Sequence, residues 1–217
     1  MLLYQVLTVA GIVCGLLLGY LLKNFTLTFI FLMVPGLLWF YSSNYKRQFL
    51  IGNVVIALNT ALSVLIVAIA EVAFLSLTYG EAVFRTPIPG QIYGWLTGFS
   101  VFAFLLTLIR EIIKDMEDIE GDREMECRTM PIIWGAGKTK IVLYLLIFLV
   151  MAGLIYVNAR FIPFEGSFTL RYIIFGLELP LLILVYFVFR AKNTADYHQA
   201  STLCKFIMLI GILYCFI

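Results

Sequence analysis

Seven apolar runs, near residues 5–22, 26–42, 50–78, 93–113, 139–157, 171–190 and 202–217, divide this chain between charged or turn-rich breaks. Most are close to the ~20 residues that an α-helix needs to cross a hydrocarbon core, and none shows the ~10-residue alternation of a barrel strand. A backbone in lipid must satisfy its own polar groups, so these runs predict an all-α membrane protein, a multi-helix transmembrane bundle. A content of 63% hydrophobic and 13% charged residues excludes an ordinary soluble domain. The third run is long for one span, which predicts tilt or a helix continuing past the membrane surface.

The basic residues predict orientation. Lys46, Arg47, Arg110, Lys114, Arg123, Arg128, Lys138, Lys140, Arg190, Lys192 and Lys205 fall on one side, against Lys23, Arg85, Arg160 and Arg171 on the other. The first side is expected in the cytoplasm, with the amino terminus there and the carboxyl terminus outside. No basic residue precedes Lys23, so the start does not resemble a signal peptide and reads as a chain beginning in mid-fold. A formal charge of +2 gives no support to nucleic-acid binding. The four cysteines lack the spacing of a disulfide framework or a zinc site and read as core thiols.

Against this background, residues 110–132, REIIKDMEDIEGDREMECRTMPI, hold eight of the thirteen acidic residues. If 110–122 extends the fourth run as a helix, Glu111, Asp115, Asp118 and Asp122 share a stripe roughly 60° wide. Like charges so placed repel by roughly 0.2–0.5 kcal/mol per pair, a cost that a bound cation would offset. Mg²⁺ takes oxygen ligands and keeps part of its shell for water or phosphate. Arg110, Lys114, Arg123 and Arg128 flank the stripe and are suited to the phosphate oxygens that a metal leaves. A mixed charge run is also commonly a solvated face, and spacing alone leaves both readings open.

The string with Asp115, Asp118 and Asp122, followed by Arg128-Thr129-Met130-Pro131, resembles the second aspartate-rich motif of the UbiA-type intramembrane prenyltransferases. Tyr41-Ser42-Ser43-Asn44-Tyr45-Lys46-Arg47, followed by Leu50-Ile51-Gly52-Asn53, is similar to that family's Tyr/Lys motif and next-helix start. Four residues separate Tyr41 from Lys46, where many members have three. The resemblance implies a nine-helix fold, of which the seven runs would be the third to ninth helices, within one prenyltransferase-like domain over 1–217. The first motif, of type N-D-x-x-D-x-x-x-D, would lie before Met1, and the chain is expected to be incomplete there.

By resemblance, Asp115, Asp118 and Asp122 would be catalytic metal ligands for Mg²⁺. Lys46, Arg47, Asn53, Arg110, Lys114, Arg123 and Arg128 would bind the substrate. The implied activity moves a polyprenyl group from its diphosphate to a lipid-soluble acceptor: a geranylgeranylglyceryl phosphate, a chlorophyll-type precursor or a quinone precursor. The alternatives are a non-catalytic relative that binds prenyl diphosphate or a partner, and a small transporter regulated by its acidic loop.

On a continuous third helix, Lys46, Asn53, Thr60 and Glu71 project to nearly one side, which in a membrane should face the interior. Thr60 reads as a helix-contact residue and Glu71 as interfacial. Glu178, beside Pro180, is expected to bond a carbonyl that the proline leaves free. His198, the only histidine, is expected to be solvated.

Overall fold

In a computed structural model the structure describes residues 2–43, 47–161 and 167–216. Among the described residues there is helix and no strand, as expected for an all-α membrane protein. The elements are α1 (Leu2–Leu21), α2 (Phe25–Ser43), α3 (Ile51–Tyr79), α4 (Ile88–Glu117), α5 (Ile119–Glu124), α6 (Met130–Phe161), α7 (Ser167–Arg171), α8 (Leu179–Arg190) and α9 (Thr194–Leu213). A 3-10 turn, Gly80–Arg85, follows α3, and a π-helical segment, Tyr172–Glu178, joins α7 to α8. The run expected at 171–190 is divided among α7, the π-helical segment and α8, and the other runs fall mainly on one helix each. Five helical segments, Phe25–Ser42, Ile51–Arg85, Ile88–Glu117, Met130–Phe161 and Phe168–Arg190, are long and apolar enough to cross a membrane. Gln5–Leu21 is shorter, and α9 opens with the polar stretch Thr194–Gln199, which dilutes its apolar length.

The chain divides into two compact units. The first comprises residues 1–45 and 55–104. There α1 packs against α2 because Gly15 and Gly19, four apart, present no side chain: a Cβ at either would overlap the Phe31 ring or the Thr28 hydroxyl. Small residues at this spacing are how membrane helices approach closely. The same unit joins α4 to α3 through the buried Ser100, whose Oγ donates to the Ala61 carbonyl at 2.9 Å.

The second unit comprises residues 46–54 and 105–217. Its core is aliphatic, with Ile109, Ile112, Ile113, Leu143, Leu181 and Ile207 fully buried. The helix α6 is bent at Gly135, whose φ of 78° and ψ of 160° suit glycine alone. Lys140 on α6 donates to the carbonyls of Phe189 (3.2 Å) and Ala191 (2.7 Å), capping the end of α8. Asn193 then opens α9 with a capping box, its side chain accepting from the Asp196 N–H.

Candidate functional site

The acidic segment forms in the second unit, where α4 ends. The continuous helix expected over 110–122 is interrupted: α4 stops at Glu117, Asp118 has φ −95° and ψ 12°, and α5 restarts at Ile119. The break is slight, because the Asp118 N–H still bonds the Lys114 carbonyl and the Asp122 N–H the Asp118 carbonyl, each at 2.9 Å. The fragment α5 ends with a Schellman pattern. Cys127 N–H reaches the Asp122 carbonyl, Glu126 N–H the Arg123 carbonyl, and Glu126 takes the left-handed φ of 55°.

Asp115 is the most protected of the three aspartates that the sequence motif singles out. It is half-buried, as is Asp122, whereas Asp118 is exposed. The Nδ2 of Asn53, buried at the start of α3, donates to Asp115 Oδ2 at 2.7 Å. The carboxylates of Asp122, Glu111 and Asp118 act on Asp115 as like charges. All of this negative charge sits at or just beyond the C-terminal end of α4, where the helix dipole is itself negative. Only Lys114 stands in the last turn as a basic counterweight. Arg110 forms an ion pair with the adjacent Glu111.

The basic residues are placed around this end. The Arg128 N–H donates to the Arg47 carbonyl at 2.8 Å, so the two loops that carry these cations meet through their backbones. The Phe49 and Trp134 rings, 4.8 Å apart, pack beside that junction. The side chains of Arg47, Lys114, Arg123 and Arg128 are exposed. Lys46 lies outside the described residues.

Among the described residues, no three or more Asp, Glu, His or Cys side chains are grouped to hold an ion by themselves. The side chains of Asp115, Asp118 and Asp122 are oxygen donors, the class that Mg²⁺ takes, and one or two carboxylates completed by phosphate oxygens and water are a usual Mg²⁺ shell.

His198 is exposed, as expected, and its Nδ1 lies 2.8 Å from Glu117 Oε1. Thr60 bonds back to the Ile56 carbonyl of its own helix. Glu71 is exposed and borders a cavity of about 470 Å³ with Val67, Gln91 and Trp95. Glu178 closes the π-helical segment, and its buried Oε1 has no hydrogen-bond partner among the described residues. Pro180 follows two residues on, and the bond to a carbonyl expected of Glu178 is not made by this oxygen. Thr107 on α4 and Thr129 beside the motif likewise bury unpartnered hydroxyls, a feature no sequence pattern marks.

The UbiA prenyltransferase family model matches residues 3–210. The digeranylgeranylglyceryl phosphate synthase of Methanosphaera stadtmanae is 30% identical over 179 residues, covering 82% of this chain and 56% of the relative. That of Sulfurisphaera tokodaii is 29% identical, covering 85% and 58%. The synthase of Saccharolobus solfataricus is 31% identical, covering 96% and 66%. The chain thus spans less than two thirds of the length of these relatives. No solved structure matches it.

Proposed function

Because this chain belongs to the UbiA prenyltransferase family, we propose that it transfers a polyprenyl group from a prenyl diphosphate to a glyceryl phosphate lipid, with Mg²⁺ as cofactor. The observation that carries the reading is the half-buried Asp115 carboxylate, hydrogen-bonded to Asn53 from another helix and one of the acidic groups Glu111, Asp115, Asp118 and Asp122 at the end of α4. The names of the relatives support the acceptor class. The proposed domain includes the whole chain, and its acidic end is proposed to face the cytoplasm, on the strength of the Lys and Arg distribution.

The reaction breaks the C1–O bond of an allylic diphosphate, forms an ether bond to an acceptor hydroxyl and releases diphosphate and a proton. Bound Mg²⁺ supplies charge stabilisation to the departing diphosphate. Asp115, Asp118 and Asp122 would hold it. Arg47, Lys114, Arg123 and Arg128, with Lys46, would bind the remaining phosphate oxygens. Arg110 would contribute through its pair with Glu111. The chemistry requires that water be kept from the allylic cation until the acceptor attacks.

The test is incorporation of labelled geranylgeranyl diphosphate, with Mg²⁺, into lipid extracts by the full-length protein and its Asp118→Asn variant. The variant is expected to lose about 100-fold in rate. Equal product from both would remove the motif from the mechanism, and diphosphate binding without product would favour a non-catalytic relative.

A further inference from the structure

Asn53 and Asp115 lie 62 positions apart in the chain, on different helices, yet meet in a hydrogen bond of 2.7 Å. The amide can donate but carries no charge, so it orders the carboxylate without neutralising it. A cationic partner there would compete with a metal for the same oxygens. Donation to Oδ2 leaves Asp115 Oδ1 and a second lone pair on Oδ2 for another ligand. Asn53 is itself held: it is buried, next to the buried Gly52, in the first turn of α3. The loop before it is anchored where the Arg47 carbonyl accepts from Arg128. One short connection therefore links the Arg47–Arg128 junction to the orientation of Asp115.

We propose that Asn53 is a positioning residue, acting through Asp115 to set how tightly the acidic end of α4 holds a divalent cation, and not a direct contact of the prenyl diphosphate. The inference rests on the metal-binding reading of Asp115 given above. Outer partners that orient a metal-ligating carboxylate are commonly worth about 10- to 100-fold in metal affinity.

Wild type, Asn53→Leu, Asp115→Asn and the double variant of the intact protein, in lipid nanodiscs, are titrated with Mn²⁺ alone and with Mn²⁺ plus inorganic diphosphate. Free Mn²⁺ is read by electron paramagnetic resonance, and circular dichroism checks the fold. Leucine keeps the branched outline of asparagine and removes its donor. Asn53→Leu is expected to weaken Mn²⁺ binding about 10-fold or more. On an Asp115→Asn background the same change should cost less than about twofold, because the residues act as one unit. Wild-type Mn²⁺ affinity in Asn53→Leu, or losses that multiply in the double variant, would overturn the positioning role. Unchanged affinity in Asp115→Asn would instead strike the underlying metal reading. If Asn53→Leu does not fold, Asn53→Ser, whose hydroxyl is too short to span to Asp115, carries the same comparison.

Discussion

A single ammonium group holds the turn between α8 and α9. Lys140 Nζ donates to two carbonyls at the C-terminal end of α8 and stands 5.7 Å from the centroid of the Tyr197 ring. Hydrogen bonds to charged donors contribute more than neutral ones. Lys140→Met, which retains the aliphatic stem, should destabilise the protein by about 2 kcal/mol, measured by the shift of the denaturant unfolding midpoint. The His198–Glu117 pair contrasts with it, since the histidine is mostly exposed and such pairs contribute little. In the sequence Lys140 is one more basic residue of a loop-side count. Its role depends on carbonyls 49 and 51 positions away, which no local pattern announces.

Helix ends decide how the acidic motif is displayed. The aspartates at 115, 118 and 122 are legible as a motif, and their helical spacing survives because the i to i−4 bonds pass through Asp118. The interruption itself, and the exposure of Asp118 beside the half-buried Asp115, arise from packing of α4 that spacing does not encode. Downstream, Gly135 turns α6 after the motif in a conformation open to glycine only. Gly135→Ala should cost about 1–3 kcal/mol, read as a lower thermal midpoint, while the same substitution at Gly137, whose φ is not positive and where a Cβ meets open space, should not. A glycine in GAGK signals a turn in the sequence. Which of the two glycines bends the chain is a matter of backbone geometry.

At the scale of the molecule, the large apolar side chains that remain exposed, among them Phe25, Trp39, Leu145 and Phe189, suit a lipid environment. If metal and diphosphate share the acidic end of α4, each must strengthen the other's binding by the same factor. Chelation of divalent cations should therefore weaken prenyl diphosphate binding by about 5- to 150-fold, with recovery on adding Mg²⁺, as followed by isothermal titration calorimetry. Equal affinity with and without chelator would leave the basic residues as the sole binding group. Apolar runs set the helical membrane class and the position of each helical segment, because chain length and hydrophobicity are local and the bilayer admits few alternatives. The motif string likewise marks the aspartates and their basic neighbours as candidates. Pairing was decided only in three dimensions: Asn53 with Asp115, Arg128 with Arg47, His198 with Glu117. Such contacts join residues tens of positions apart, and hydropathy and periodicity carry no record of which helices become neighbours.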